Sequence, residues 1–369
     1  MSTEVPVQNG NHTTPALASI APSSAPRQEN IISIATRKSP MAMKQSDQVA
    51  TAIKMANTHL KTVLIGKETA GDLNQHTPLP QISNPKSLWT DELEDMLDNG
   101  SADMIVHSLK DMPTNLPAKF ELAAVTLRDD PRDAVCMRPD LAQQGINSLA
   151  QLPEGSVIGT SSLRRSAQLK RRYPGLRFAD CRGNVGTRLA KLDAPGGQFS
   201  ALILAAAGLA RLSLQSRITQ LLSWGDGGMM HAVGQGALGI EIRAGDKRMR
   251  AILASITDEK SFCAAQAERT LMRDLEGGCS VPIGVETEWV KKIDKMRDEE
   301  EKDERGDELI MRAIVVSLDG SRAAEATMRA IIKSRDDAEK LGMSMAQKLR
   351  EGGAKDILDE INAHRSPTK

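Results

Sequence analysis

The chain has 369 residues, and its 48 basic and 48 acidic side chains leave it without net charge. Its length allows two or three domains, and an aromatic content of only 2% argues against single-stranded nucleic-acid binding, which relies on aromatic side chains that stack on bases. The four cysteines form no Cys-x-x-Cys pair and no apolar run is long enough to span a bilayer, so the composition disfavours zinc sites, disulfide frameworks and membrane spans and predicts a cytoplasmic protein.

A polar segment rich in Ser, Thr, Pro and Asn, residues 1–28, comes first. It lacks the basic start and the apolar centre of a secretion signal, and its only arginine, Arg27, is too little for a typical mitochondrial presequence. This composition predicts a disordered tail.

Alternating strands and helices follow the tail. A helix capped by Thr90 carries Asp91 and Glu92 in its first turn and closes at Gly100. The other elements of this first block are a strand at 31–35, a helix at 41–57, and strands at 62–65 and 103–107. The alternation is typical of βαβ units around a parallel sheet.

A second block of the same kind begins after Asp129-Asp130-Pro131-Arg132. Its predicted elements are strands at 134–137, 156–160, 177–179 and 201–205, and helices at 163–172 and 185–192. A smaller α+β unit completes the chain, with a helix at 264–275, a strand at 310–318 and C-terminal helices. The charged run 286–308 is expected to be a surface loop or an exposed helix.

Arginine is concentrated between residues 159 and 188. Thr160, Ser161 and Ser162 can cap the helix that starts at Leu163, which leaves Arg164 and Arg165 in a first turn whose dipole opposes them. Folding alone does not favour this pair there, whereas a bound anion would face the dipole, the hydroxyls and the guanidinium groups together. The pair is therefore predicted to bind an anion rather than to be merely solvated, and the arginines interpreted as surface residues are Arg171, Arg172 and Arg177.

Three polar loops follow predicted strands, namely Arg37-Lys38-Ser39, Ser108-Leu109-Lys110-Asp111 and Thr160 to Arg165. Open α/β sheets bind ligands at the carboxyl ends of their strands, so we expect these loops to share a site. Asp111 is the one acid among them. On the residues alone it is either a turn residue before Met112-Pro113 or a carboxylate with a role different from that of the cations.

These loops resemble those of the hydroxymethylbilane synthase family, whose members are also called porphobilinogen deaminases. Seven collinear segments carry the resemblance, from about Ile31 to the C-terminus: ATRKSP (35–40), VHSLKDMPT (106–114), DPRDA (130–134), GTSSLRRSAQLKRRYP (159–174), RGNVGTRL (182–189), HAVGQGALGIEIR (231–243) and ERTLMRDLEGGCSVPIGV (268–285). Ala35 and Trp89 depart from the usual glycine and phenylalanine but keep small size or apolar character.

The resemblance implies an α/β fold with two doubly wound domains, similar to the halves of a periplasmic binding protein, and a small C-terminal α+β domain. Domain 1 would comprise residues 29–130 with 231–256, and domain 2, residues 131–230, would hold the arginine-rich site. Domain 3, residues 257–369, would hold the cysteine loop and the charged insertion 286–308.

The resemblance also implies a transferase of tetrapyrrole and heme biosynthesis. It would join four porphobilinogen molecules head to tail, with loss of ammonia, onto a dipyrromethane cofactor bound covalently to Cys279, and then release linear hydroxymethylbilane by hydrolysis. The acetate and propionate groups of the pyrroles need many cations, which would account for the excess of arginine.

The site residues carried over from the family fall into three overlapping groups. Those implied to bind the cofactor, besides Cys279, are Ser108, Lys110, Asp111, Thr160, Ser161, Ser162, Arg164, Arg165 and Arg188. Those implied to bind the substrate are Arg37, Ser39, Gln45, Arg182 and Gly183, and those implied to act in catalysis are Asp111, Lys110, Arg37 and Arg182. Asp111 would stabilise positive charge on a pyrrole nitrogen and exchange protons at the ring carbon.

Cys279 has two interpretations on the residues alone. A single cysteine is commonly a small buried hydrophobic residue, but this one follows a Gly-Gly helix stop, on a loop where a thiol can react. The three other cysteines, Cys136, Cys181 and Cys263, lie in or beside apolar runs and are expected to be inert.

A second hypothesis keeps the two-lobed architecture but assigns no reaction: a non-enzymatic anion-binding module without a covalent adduct. For the enzyme, the expected partner is the small molecule porphobilinogen, with no nucleic acid, no membrane and no bound metal, and the expected state is a monomer.

Overall fold

The structure is a computed structural model that describes residues 30–70, 90–275, 281–291 and 305–363. The first part of the chain forms β1 (Ile31–Arg37), α1 (Pro40–Ala56), β2 (Lys61–Lys67), α2 (Asp91–Asp98), β3 (Met104–Ser108) and β4 (Phe120–Val125). A single turn of 3-10 helix, Leu109–Asp111, follows β3 directly.

The middle of the chain repeats the alternation with shorter strands. It forms β5 (Asp133–Met137), α3 (Pro139–Gln143), β6 (Val157–Gly159), α4 (Leu163–Arg172), β7 (Arg177–Ala179), α5 (Val185–Asp193), β8 (Ala201–Ala205), α6 (Ala206–Arg211) and β9 (Gln220–Leu222). The bounds of α4, β7 and β8 are those that the sequence predicts.

The last part begins with one strand. Two helices then precede a group of three strands, and two more helices follow it. It forms β10 (Leu238–Arg243), α7 (Lys247–Ala254), α8 (Glu259–Asp274), β11 (Ile283–Lys291), β12 (Arg305–Val316), β13 (Ala323–Ile331), α9 (Arg335–Glu351) and α10 (Ala354–Ala363). None of the helices in the described part of the chain is both long and apolar enough to cross a membrane.

Two five-stranded sheets share one plan. The first has the strand order β2-β1-β3-β10-β4 and the second the order β7-β6-β8-β5-β9. In each, three neighbouring strands are parallel, and the fourth strand, β10 or β5, runs antiparallel to both of its neighbours. The expectation of parallel sheets is therefore correct for three strands of each and wrong for β10 and β5.

The antiparallel strands arise because the chain passes twice between the sheets. Residues 126–132, the first crossing, lead from β4 of the first sheet into β5 of the second. Residues 223–237, the return crossing, lead from β9 back into β10. Each crossing thus delivers its strand into the interior of the sheet that it enters.

Both faces of the two larger sheets are covered, as expected for the α/β class, which is confirmed. In the first sheet, Ile32 and Ile34 pack with Val49 of α1 and Leu253 of α7, while the opposite face packs against Leu93 of α2. In the second sheet the two apolar clusters lie against α4 and α5. Each fully buried aliphatic side chain contributes about 1.5–3 kcal/mol to folding.

The third sheet, β11-β12-β13, is antiparallel and packs one face against α8, α9 and α10. It corrects the prediction for the charged run 286–308, because residues 286–291 belong to β11 and residues 305–308 to β12. Charged residues there alternate with Thr287 and Trp289, a period of two that suits a strand with one exposed face. The charged side chains mask this alternation in the sequence, because few apolar residues stand between them.

Candidate active site

The first polar edge lies at the carboxyl ends of β1 and β3. Ala35 pairs with Ile105 in these parallel strands, so Arg37 at the end of β1 lies at the same edge as Ser108 at the end of β3. The Gln45 side chain, from α1, donates a hydrogen bond to Ser108 Oγ at 2.7 Å. Ser39 caps α1 and accepts a hydrogen bond from the main-chain N–H of Ala42 at 3.3 Å. The predicted residues Arg37, Ser39, Gln45 and Ser108 thus converge on this edge.

The second polar edge is the loop between β6 and α4. Ser162 caps α4, as the sequence predicts, by accepting a hydrogen bond from the N–H of Arg165 at 3.4 Å. Thr160 Oγ1 accepts from the N–H of Ser162 at 3.2 Å, and Ser161 Oγ accepts from the N–H of Cys181 at 3.2 Å. The three hydroxyls therefore fix the loop and orient the start of α4.

Arg164 and Arg165 turn inward from this helix start, and both bind Asp133 at the beginning of β5. Arg164 Nη1 donates to Asp133 Oδ2 at 2.8 Å, and Arg165 Nε and Nη2 donate to Asp133 Oδ1 at 3.0 and 2.6 Å. Main-chain carbonyl groups accept further hydrogen bonds from Arg164 Nη1, at Met230 O (2.7 Å), and from Arg165 Nη1, at Ile203 O (2.8 Å). All three charged side chains are buried.

These two ion pairs correct the expectation that folding alone does not favour Arg164 and Arg165 at the start of the helix. The two arginines do have a compensating charge within the fold, because the carboxylate of Asp133 faces both guanidinium groups. Burial by itself would raise the pKa of Asp133, but the charges of Arg164 and Arg165 outweigh that effect and hold it well below its usual range. The conflict with the helix dipole is therefore no evidence for a ligand, and the role of the pair as cofactor ligands stays a prediction.

Gln235, in the return crossing, connects the two polar edges. Its buried side-chain Nε2 donates to Asp133 Oδ1 at 3.0 Å and to the Pro131 carbonyl at 2.7 Å, while its Oε1 accepts from Lys110 Nζ at 3.4 Å. A continuous set of hydrogen bonds thus runs from the turn after β3, through Gln235 and Asp133, to the start of α4.

The pKa of Lys110 depends on its burial and on the charges of this hydrogen-bonded set. Burial is the largest influence and lowers the pKa of Lys110 to about 8, with the arginines of α4 acting in the same direction. The carboxylates of Asp111 and Asp133 act in the opposite direction. Lys110 is therefore a cation held among both signs of charge, at a point where a modest change in its surroundings alters its protonation.

Asp111 is exposed at the end of the 3-10 turn, beside cations of both sheets. Its charge favours the protonated forms of Lys110 and of Arg188, while burial and Arg165 lower the pKa of Arg188. Arg188 Nε donates to the carbonyl of Gly183 at 2.7 Å, and the carbonyl of Arg182 accepts from Lys191 Nζ at 3.0 Å. The structure thus brings Asp111, Lys110, Arg165 and Arg188 together.

Three residues of this site escaped the sequence analysis. Asp133 and Gln235 link the predicted residues to one another, and Arg211 of α6 fastens the two crossings by donating to Asp129 Oδ2 at 2.9 Å and to the Gly236 carbonyl at 2.7 Å. Gly236 has φ +88°, and a Cβ there would lie 2.5 Å from the Asp129 carbonyl oxygen, so the crossings touch only because it is glycine. The one signal for Asp133 was an acid at the start of an apolar strand.

Three of the four cysteines are buried and free: Cys136, Cys181 and Cys263. Burial raises the pKa of Cys136 to about 11 and also raises those of the other two, so none is activated as a thiolate. This agrees with their expected inertness. Cys279, the predicted attachment site, and Trp89 lie outside the described residues.

Similarity to known proteins covers nearly the whole chain. Residues 32–251 match the family model "Porphobilinogen deaminase, dipyromethane cofactor binding domain", and residues 262–351 match "Porphobilinogen deaminase, C-terminal domain". The porphobilinogen deaminase of Neurospora crassa is 45% identical over 342 residues, which cover 92% of this chain and 96% of that protein. That of Eremothecium gossypii is 49% identical over 339 residues, which cover 90% and 98%. Among solved structures, the methionine binding protein MetQ aligns with 65% of this chain and 95% of its own at a TM-score of 0.37 and 12% identity.

Proposed function

This chain belongs to the porphobilinogen deaminase family, and from that premise we propose which of its residues perform the family's reaction. The reaction is that of a transferase, also called hydroxymethylbilane synthase, with a dipyrromethane cofactor and porphobilinogen as substrate. The alternative of a non-enzymatic anion-binding module is not favoured by this membership.

The observation that carries the assignment is the hydrogen-bonded set from Lys110 through Gln235 and Asp133 to Arg165, with Asp111 beside it. Cations from two sheets meet there, and their positive charge exceeds what Asp133 and Asp111 supply. The cations of this set are Lys110, Arg164, Arg165 and Arg188. Such a surplus suits a ligand that carries several carboxylates.

We divide the residues between the cofactor and the substrate as the family resemblance implies, so that each group takes residues from loops of both larger sheets. We assign cofactor binding to Ser108, Lys110, Asp111, Thr160, Ser161, Ser162, Arg164, Arg165 and Arg188, and covalent attachment to Cys279. Substrate binding falls to Arg37, Ser39, Gln45, Arg182 and Gly183. When bound, the dipyrromethane supplies the pyrrole carbon to which the first substrate is joined. The protein's own part is to hold the carboxylates with charge-assisted hydrogen bonds of about 1.5–3 kcal/mol each.

Asp111 is assigned the catalytic role, because it is an exposed carboxylate placed among cations. Its carboxylate would stabilise positive charge on a pyrrole nitrogen of the substrate, and it would take or give a proton at a ring carbon. Arg37 and Arg182 assist by orienting the substrate carboxylates.

Replacement of Asp111 tests this assignment. Asp111→Asn keeps the shape and removes the charge, so we expect the rate of hydroxymethylbilane formation to fall about 10²–10³-fold while the cofactor stays attached. Asp180→Asn is the matched control, because Asp180 is also exposed and its charge also acts on Arg188. Equal rates in the two variants would remove Asp111 from the chemistry.

Attachment at Cys279 is tested by intact-protein mass spectrometry. The purified chain should exceed its encoded mass by one dipyrromethane adduct, and Cys279→Ala should lose that excess because no other described thiol is accessible. Cys181→Ala, a change at a buried cysteine, should keep it. An unmodified mass for the active protein would contradict the covalent cofactor and return the anion-binding module to consideration.

We also propose the domain division expected from the sequence: residues 29–130 with 231–256, residues 131–230, and residues 257–369, after a tail of residues 1–28. It is supported by the three sheets, since β10 joins the first sheet although it follows the second in the chain. A monomer acting in the cytoplasm on a small-molecule substrate, without nucleic-acid or membrane partners, completes the proposal.

A further inference from the structure

We propose that Arg269, on α8, is a positioning residue that holds the turn carrying Lys110 and Asp111 and thereby sets the place of the Asp111 carboxylate against the substrate. The inference rests on the proposed role of Asp111. Arg269 itself lies behind the turn, on the third unit of the fold, and belongs to none of the groups assigned above.

The first observation concerns the hydrogen bonds that the Arg269 guanidinium donates. They go to the carbonyl oxygens of three consecutive residues that follow the turn: Met112 at 3.4 Å, Pro113 at 2.6 Å and Thr114 at 3.4 Å. The side chain is only 4% exposed. One guanidinium fork thus fixes the main chain at the exit of the Leu109–Asp111 turn.

The second observation is that the acceptors of this buried cation, among the residues that the structure describes, are neutral carbonyl groups. Burial and the charge of Arg273 lower the pKa of Arg269 to about 10, with Glu241 acting in the opposite direction, so it is protonated at neutral pH. Burying a cation without a paired carboxylate costs free energy, even when carbonyl oxygens accept hydrogen bonds from it. A local cost of this kind is expected where the geometry of a functional segment is being fixed.

The third observation is that the same helix supports the turn by packing. Leu109 and Met112 lie in one apolar cluster with Phe262 and Ala265 of α8. Phe262, Ala265 and Arg269 are spaced by three and four residues and therefore share one helix face. That face makes both the apolar and the polar contacts to the turn.

The entry to the turn is fixed independently. His107, directly before Ser108, is 2.8 Å from Glu241 on the neighbouring strand β10, and both side chains are buried. Gly234, with φ +70°, passes so close that a Cβ there would lie 3.2 Å from Lys110 N. Because the entry is held by β10 and the return crossing, loss of the Arg269 contacts should displace mainly the exit, where Asp111 lies.

The position of Arg269 along the chain relates the Asp111 turn to the proposed attachment cysteine. It lies on α8, which ends at Asp274, and Cys279 follows within five positions. One rigid helix thus holds the Asp111 turn and leads into the segment that carries the proposed attachment cysteine. Arg269 sets the position of the acid relative to that helix.

The test compares Arg269→Lys with Arg273→Lys. Lysine keeps the charge but cannot reach three carbonyl oxygens, so we expect kcat to fall about 10–100-fold, as for a catalytic group displaced by about 1 Å, with KM for porphobilinogen and the dipyrromethane mass unchanged. Arg273 lies one turn farther along α8, where it pairs with Glu339 at 3.0 Å, and its lysine variant should keep the wild-type kcat. A wild-type kcat for Arg269→Lys would overturn the inference.

A double variant separates positioning from general damage. In the Asp111→Asn background, Arg269→Lys should lower kcat no further, because the group that it positions is already gone. An equal loss in both backgrounds would overturn the inference. A near-normal rate for Asp111→Asn alone would instead overturn the proposed role of Asp111, on which the inference rests.

Arg269→Gln provides a second route if the lysine variant does not fold. The amide can still donate to one or two of the carbonyl oxygens without placing a charge in the interior, so this variant should fold. We expect a kcat below wild type with an unchanged KM, and a wild-type kcat would again refute the positioning role.

Discussion

Asp133 receives hydrogen bonds from Arg164, Arg165 and Gln235, and so it joins the arginine-rich helix start to the return crossing. The carboxylate is 1% exposed. A buried charge of this kind depends on its partners, and they depend on it, because none of them has water as a substitute. The cations predicted to bind the cofactor are thus held in place by an acid that the sequence analysis did not single out.

Replacement of Asp133 should therefore destabilise the fold. Asp133→Asn leaves two guanidinium groups buried without their countercharge, so we expect the free energy of unfolding to fall by about 3–5 kcal/mol. Urea denaturation followed by circular dichroism measures the change.

The matched control for this change is Asp140→Asn. Asp140 also pairs with an arginine, Arg138, at 2.7 Å, but on the protein surface, where solvent screens the pair. Its variant should unfold close to the wild-type midpoint. Equal effects at positions 133 and 140 would show that the buried carboxylate is not required by the arginines.

At the scale of elements, the two ends of α4 contact different parts of the fold. Its start carries the inward-facing arginines, whereas its end docks on the hairpin between β12 and β13, where Lys170 Nζ donates to the Leu318 carbonyl at 3.0 Å. Gly320 in that hairpin has φ +82°, and a Cβ there would lie 2.7 Å from Arg171 N. The helix that carries the proposed cofactor-binding cations Arg164 and Arg165 is thus fastened to the third unit.

The remaining arginines of this region have the plain role that the sequence indicated. Arg171, Arg172 and Arg177 are exposed, and Arg171 lies 3.8 Å from Glu325 of β13. An exposed pair at this distance contributes little to stability. Arginine content thus marked the right element, although position along the helix decided which side chains face inward.

Element prediction succeeded where the signal is local and failed where it is not. The cap at Ser162 lies directly before the first residue of α4, and the bounds of that helix were predicted correctly. No strand is predicted at the position of β10. Its partners, β3 and β4, lie more than 100 residues earlier in the chain.

At the scale of the whole molecule, the two crossings and the third unit form one connected joint. Arg128 Nη1 binds Glu268 of α8 at 2.7 Å, and the N–H of Gly234 donates to the same carboxylate at 2.8 Å. The carbonyl of His231 accepts from the N–H of Val285 in β11 at 2.9 Å. All three sheets are therefore linked through residues of the crossings.

His231 makes the stability of this joint depend on pH. Burial and the charges of Arg128 and Arg164 lower its pKa to about 4, against the opposing charge of Glu268, whereas the unfolded chain takes up that proton near pH 6.5. Between these values the unfolded state binds more protons, so the free energy of unfolding should fall by about 3 kcal/mol as the pH drops from 6.5 to 4. Asp133 and Glu268, whose pKa values are lowered, lose their contributions only at more acidic pH.

Thermal unfolding of His231→Asn between pH 7 and 4.5 checks this expectation. The variant should lose less stability than the wild-type protein on acidification, because the side chain that the unfolded state protonates is gone. His59→Asn, a change at an exposed histidine, should follow the wild-type curve. Parallel curves for His231→Asn and the wild type would rule out this histidine as the source.

The sequence by itself determined the α/β class, the family, the starts of α2, α4 and α5 and the polar loops at the strand ends, because each of these depends on residues that are neighbours in the chain. It identified Arg164 and Arg165 as unusual but did not reveal their countercharge, since Asp133 lies about 30 positions away. Only the tertiary structure decided how Lys110, Gln235 and Asp133 connect two sheets, and that Arg269 reaches the turn behind Asp111. Such contacts depend on which strands and helices become neighbours in space, and ionic and hydrogen-bonding groups give no periodic signal of their partners along the chain.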